Sequence, residues 1–284
     1  MILAKKTRVK TETINSKHKK TVARPPAERK LQANSCCIAA RTTLGVSPYL
    51  PMKMKMNVRA GIAGCLAFLA AAALAADNSK TISLCNGKDL SGWKTLGGKG
   101  TNQWQFGKAA LDAVNPKKIN VDGPGEDLIS PQSGANLSTE ASYKDCIVEL
   151  EFMMAKNSNS GVKMMNIYEI QIFDSFGKEV AGKSDCGAVY QENAPKVNAC
   201  KKPGEWQTLV IEFRAPRFDE SGNKTANAKF VKVTLNGQVV QENVEIAHGT
   251  NVSRTAKEHP TGPIYLQGDH GPVAFRNLKV TPIN

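Results

Sequence analysis

The chain has 284 residues, 41% of them hydrophobic and 6% aromatic, with a formal net charge of +13. Residues 1–76 hold 14 Lys and Arg against Glu12 and Glu28, a net of +12; residues 77–284 hold 24 against 23 Asp and Glu, a net of +1. The basic excess belongs to the front end, so the rest of the chain offers no electrostatic footprint for a phosphate backbone, and no nucleic-acid partner is expected.

The front end reads as an address. Residues 1–51 lack apolar periodicity and are rich in basic residues, as in a mis-called start or a disordered extension. Within 52–76, Lys53, Lys55 and Arg59 precede the 15-residue run GIAGCLAFLAAAALA, and Ala73-Leu74-Ala75 supplies a small-x-small cleavage site. That order is a secretory signal peptide, too short to span a bilayer comfortably. Export to the periplasm or the cell exterior is expected, with no transmembrane span. The tetrad Ile62-Ala63-Gly64-Cys65 imitates a lipoprotein box but precedes the main apolar run, which argues against lipidation.

Residues 77–284 are expected to form a single domain. Strand candidates run in chain order from 104–107 to IVELEF (147–152), where Val148, Leu150 and Phe152 face one way and Glu149 and Glu151 the other. Next come 161–165, 168–173, 187–190 and TLVIEF (208–213). Segment 229–246 reads as a hairpin: Val231, Val233 and Leu235 alternate up to Asn236-Gly237, the preferred type I′ turn pair, and Val239 begins the return. Segments 263–267 and 273–281 close the series. No segment shows a sustained helical stripe, and Gly, Asn and Pro clusters punctuate the chain throughout. The expected class is all-β, an antiparallel β-sandwich of jelly-roll type. Trp93, Trp104 and Trp206 read as core anchors ahead of sugar platforms.

The stretch YEIQIFDS (168–175) sets polar residues among apolar ones. Glu169 and Gln171, two apart, share one face of a regular strand about 7 Å from each other. Asp174 faces the other way unless the strand bulges. These residues are either solvated outer-face positions or the lining of a cleft. His270, within Gly268-Asp269-His270-Gly271, can exchange a proton near neutral pH or ligate a metal; Asp269 can orient it, bind a cation or cap a turn. Four cysteines follow the address: Cys85, Cys146, Cys186 and Cys200. Cys186 and Cys200 flank a loop-like segment with Asn193, Pro195 and Asn198, which suits one disulfide; Cys85 and Cys146 fit buried thiols equally well. No C-x-x-C pair or His/Cys cluster suggests structural zinc.

Six segments in order carry a resemblance: LCNGKDLSGW, NSGV (159–162), YEIQIFDS, CGAVY (186–190), PGEWQTLVIEFRAPRFD (203–219) and GPIYLQGDHGPVAFRNLKV (262–280). Over residues 81–284 the chain resembles the 3-keto-disaccharide hydrolase domain family. The resemblance implies a concanavalin-A-like jelly roll that cleaves glycosides oxidised to 3-keto sugars. A C3 ketone acidifies the C2 proton; a base removes it, the enolate expels the C1 group, and water adds afterwards. Such chemistry needs a base, a partner for the enolate oxygen and a proton donor for the leaving oxygen. On this reading Glu169 is base or metal ligand, His270 the acid/base partner and Arg276 the cation at the enolate. Gln171, Asp174, Tyr190 and Asn166 hold sugar. A divalent metal ion on Asp269 and Glu169 is the one cofactor to look for, and a sugar oxidoreductase upstream is the implied partner.

Two rival readings stay open. E-x-Q-x-x-D has the spacing of the bulged strand of laminarinase-type retaining glycosidases, but their mechanism needs two carboxyls about 5–5.5 Å apart. Here an amide stands in the middle and the second acid is a shorter Asp. A lectin-like binding module would need only Gln171, Tyr190, Asn166 and a Trp. The ionisable residues gathered in the two most specific segments favour an enzyme. Neither a nucleophile elbow nor a glycine-rich phosphate loop is present.

Overall fold

The computed structural model describes residues 80–283. The expected extension at 1–51 and signal peptide at 52–76 lie outside the described residues. Among those described, no helix is long and apolar enough to cross a membrane.

Six short strands open the domain: β1 (Ile82–Ser83), β2 (Trp93–Gly98), β3 (Gln105–Gly107), β4 (Ala109–Leu111), β5 (Ile119–Val121) and β6 (Asp127–Ser130). Then come β7 (Ala135–Thr139), β8 (Cys146–Met154), β9 (Asn159–Met164), β10 (Tyr168–Phe173) and β11 (Gln207–Arg214). The small hairpin β12 (Arg217–Phe218) and β13 (Lys224–Ala226) leads into β14 (Ala228–Leu235) and β15 (Gln238–Ile246). A 3-10 turn at Asn251–Ser253 precedes β16 (Tyr265–Leu266) and β17 (Val273–Pro282).

All pairings are antiparallel, as expected. The larger sheet runs β15-β14-β11-β8-β17-β6-β3, and the smaller runs β10-β9-β16-β7-β2. A bulge between Arg276 and Lys279 splits β17: β6 pairs with its first half, and β1 with Lys279 and Val280. Asn277 takes the left-handed conformation there, at φ 51°.

The alternation read in the sequence places the core. Val148, Leu150 and Phe152 of β8 and Leu209, Ile211 and Phe213 of β11 are buried, and they meet Tyr168, Ile170 and Ile172 of β10 and Val162 and Met164 of β9. The Tyr168 and Phe213 rings lie 5.5 Å apart across the two sheets. Burying each such side chain contributes about 1.5–3 kcal/mol. Trp93 and Trp104 anchor the core and donate their indole N–H groups to the Leu84 and Ala135 carbonyls at 2.7 and 2.8 Å. A second apolar cluster lies on the outer face of the larger sheet. There Met153 and Ala274 are covered by Ala109 and Ile119 of the β4–β5 hairpin, with Trp206 packed alongside.

Three expectations change. Val231 is not a core residue: Glu212 pairs with Lys232 but Phe213 pairs with Phe230, so Val231 is the extra residue of a bulge and Phe230 takes the core position. Segment 187–190 is not a regular strand, although it still bonds to the free edge of β10. Ala188 accepts from Gln171 N at 2.9 Å, and Tyr190 N donates to Glu169 at 3.0 Å. Cys186 and Cys200 are not bridged. They are free buried thiols, and the hydrogen bond from Cys186 raises its own thiol well above the ordinary value while lowering that of Cys200 to about 7. Cys85 and Cys146 are also free thiols, each pushed up to about 12 by burial.

Candidate active site

Strands β9 and β10 form a hairpin through Met165 and Asn166, both left-handed at φ 56° and 63°. Their register is regular along its whole length, with Glu169 opposite Lys163, Gln171 opposite Gly161 and Phe173 opposite Asn159. Since the pleat sends Tyr168, Ile170, Ile172, Val162 and Met164 into the core, Lys163, Glu169 and Gln171 stand on the outer face of the smaller sheet. Tyr265 of β16 pairs with Lys163 and extends the same row.

These outer-face residues are nonetheless enclosed: Glu169 and Gln171 are each 2% exposed and Lys163 7%. A cavity of about 140 Å³ lies over them, lined by Asn159, Lys163, Glu169, Gln171, Tyr190, Asn251, Val252, Gln267 and His270. Its walls come from the segment bonded to the β10 edge, the 3-10 turn and the loop after β16. Buried Thr250 ties the turn to the sheet: its hydroxyl accepts from Glu169 N at 3.1 Å and donates to the Ile167 carbonyl at 3.0 Å. Arg254 and Glu192 pair across the two covering segments.

The electrostatics follow from enclosure. Burial pushes Glu169 above the usual carboxylate range, against the opposing pull of Lys163, whose ammonium is 3.3 Å from Oε2. Lys163 Nζ also lies 5.1 Å from the centre of the Tyr265 ring. Burial likewise raises the Tyr265 phenol, with Asp269 and Glu169 adding to the effect. Gln171 donates to Asn159 Oδ1 at 3.2 Å and the Ser184 carbonyl at 3.3 Å, while its own Oε1 is buried with no protein partner. Oε1 of Gln267 is in the same condition. Buried acceptors of this kind are costly unless a ligand or water supplies a donor. His270 Nδ1 lies 2.5 Å from Asp269 Oδ1 and 3.1 Å from Gln267 Nε2; a carboxylate only accepts, so the shorter contact calls for a proton on Nδ1, and Nε2 has no hydrogen-bond partner among the described residues.

The structure thus brings together Glu169, Gln171, Tyr190 and His270, with Asp269 behind the imidazole. The other expected site residues lie elsewhere. Asp174 follows the end of β10, and its carboxylate accepts from Asn157 N at 2.9 Å; with no bulge in β10 it does not reach the cavity. Asn166 is a turn residue whose Oδ1 accepts from Ser138 Oγ at 3.1 Å, and it does not line the cavity. Arg276 is on the outer face of the larger sheet, with the core between it and Glu169. It donates to Glu151 at 3.0 and 2.6 Å and stacks 4.1 Å from the Trp206 ring. A divalent ion on Glu169 and Asp269 does not fit: the two carboxylates face Lys163 and His270. Among the described residues no three His, Cys, Asp or Glu side chains converge as a metal site. Lys163, Asn159, Tyr265 and Gln267 are additions to the sequence-based set. Lys163 was accessible from period two, because it lies between the apolar Val162 and Met164.

Comparison with known proteins agrees with the sheet architecture. Residues 80–281 match the model of the 3-keto-alpha-glucoside-1,2-lyase-like domain. No curated relative matches the chain. A crystal structure of a candidate glycosyl hydrolase from Parabacteroides distasonis is 27% identical, with a TM-score of 0.56, covering 72% of this chain and 84% of that one. A second candidate glycosyl hydrolase from the same organism is 17% identical, with a TM-score of 0.49, over 72% of this chain and 94% of that one.

Proposed function

The chain belongs to the 3-keto-alpha-glucoside-1,2-lyase-like family, and from that footing we propose that it cleaves glycosides whose sugar carries a ketone at C3. The observation that carries this reading is a buried carboxylate, Glu169, raised in basicity by its enclosure and set beside buried carbonyl oxygens without partners. A base for a carbon acid needs that poise: ionised at working pH, yet a better proton acceptor than a solvated carboxylate. A site built for binding alone has no use for the desolvation that it costs.

Glu169 takes the C2 proton, and the resulting enolate expels the oxygen at C1. His270 acts in its imidazolium form: with Nδ1–H held by Asp269, it gives its Nε2 proton to that leaving oxygen and is left neutral, and water then adds at C1. Gln171 Oε1 accepts from a sugar hydroxyl, and Tyr190 closes the ring in. The cavity of about 140 Å³ is well below the roughly 300 Å³ at which ordinary ligand pockets begin. On this reading no more than one sugar ring enters it, and the aglycone stays outside, beside the exposed His270. Conventional retaining hydrolysis lacks its second carboxylate here, because Asp174 is turned into a loop. The protein works on this reading after export, on sugar that an upstream oxidoreductase has oxidised.

The test is direct. Purified protein releases the aglycone from a 3-keto-glucoside and leaves the unoxidised glucoside intact, and Glu169→Gln abolishes the release while the fold persists by circular dichroism. Equal turnover of both glucosides would identify a conventional glycosidase. Binding without turnover of either, with and without added divalent metal, would identify a lectin.

A further inference from the structure

An enolate at C3 requires a cation or strong donor at its oxygen, and Arg276 stands on the wrong side of the sandwich for that task. Lys163 stands on the right side. We propose that Lys163 is a second catalytic residue, which holds the C3 ketone oxygen and the enolate formed from it; this rests on the 3-keto reading above.

The geometry divides the work of Glu169 between its two oxygens. Oε2 is 3.3 Å from Lys163 Nζ, whereas Oε1 lies over Gly161, in the space a side chain there would fill. Oε1 is therefore the oxygen open to a C2 proton. C2 and the ketone oxygen are separated by only one intervening carbon, so a sugar presenting C2–H to Oε1 presents its ketone to the neighbouring ammonium. An ammonium has three N–H donors, so pairing with Oε2 leaves others for the substrate. Lys163 is 7% exposed, and the Tyr265 ring shields it further, so its charge acts in a medium of low dielectric.

The step balances without a redox partner. The C2 proton passes to Glu169, and the C2–H pair becomes a C2=C3 bond as the carbonyl π pair moves onto oxygen beside Lys163. Return of that pair re-forms C3=O, and the C2=C3 pair moves to C1–C2. The C1–O bond breaks, and its electrons leave on the departing oxygen, which takes a proton from His270.

Lys163→Met separates this role from that of a mere counter-charge to Glu169. The expected result is turnover of the 3-keto-glucoside lowered by about 10²–10³-fold, the usual cost of removing one oxyanion donor, at every pH on the profile. A larger primary isotope effect with C2-deuterated substrate is also expected, because proton removal becomes more rate-limiting. Lys163→Gln, a neutral donor, falls between the two and supplies the same comparison should the Met variant not fold. Recovery of the full rate in both variants at high pH, where Glu169 is ionised without help, overturns the assignment and leaves Lys163 a charge partner. Absence of turnover by the unsubstituted protein overturns the 3-keto reading itself, and the Lys163 role with it.

Discussion

Gly161 is a glycine because of Glu169. A Cβ at position 161 would lie 2.3 Å from Glu169 Oε1, and the backbone there is not left-handed, so the constraint is space and not torsion. Gly161→Ala must therefore push the carboxylate off its place; at least a tenfold loss of turnover with a cooperative thermal transition is the expected outcome. The ionisation of Glu169 sets the pH profile. Since burial raises it, the rate should climb along a limb lying above the usual carboxylate range. Between the unfolded and folded values the folded state binds more protons, so this group's contribution to stability is lost as pH rises through that window. At this scale the sequence was informative. That Glu169 and Gln171 share a face was legible from their spacing, and Lys163 obeys the same alternation across the three residues 165–167 that join β9 to β10.

At the scale of elements, the cavity exists because three covering segments are fastened to the β9–β10 hairpin. Thr250 is the fastening, fully buried and bonded both to Glu169 N and to the Ile167 carbonyl. Thr250→Val removes both hydroxyl bonds while keeping the shape; the Ile167 carbonyl retains its bond from Thr250 N at 2.8 Å, so a destabilisation of about 1–3 kcal/mol is expected from the buried Glu169 N–H left unpaired. Denaturant titration measures that loss, and steady-state kinetics should show KM rising more than kcat falls. Much of this level was illegible beforehand. Arg276 lies where the apolar alternation breaks between Phe275 and Leu278, but nothing local says which sheet the strand joins, and β17 joins the larger one. The bulge at Val231 also left no mark, because Phe230 and Val231 are both apolar and either could have pointed inward.

For the molecule as a whole, the run of short alternating strands joined by turns announced an antiparallel sandwich, and that survived intact. A polar network at the base of β8 was not foreseen. Asp145 accepts from Ala215 N at 2.9 Å and from Arg217 Nη1 at 2.9 Å, while its carbonyl accepts from Ile283 N at 2.8 Å. Burial alone would raise its carboxyl, but the Arg217 and Ala215 hydrogen bonds overcome this and hold it below the ordinary Asp value. Its stabilisation is thus present above the unfolded value and lost as pH falls through the folded one. Asp145→Asn should cost about 1–3 kcal/mol near neutrality and less in acid, as urea unfolding at both pH values would show. The arginines are partly solvated, which keeps the figure modest.

The regular pleat of β9 and β10 has one more consequence. Positions 160, 162, 164, 168, 170 and 172 point to the core side, while positions 159, 161, 163, 169 and 171 stand on the opposite face, where four of them line the cavity. Substitutions in the second set leave the jigsaw of the first untouched, so the vocabulary of the cavity can be rewritten while the grammar of the hairpin stays in place.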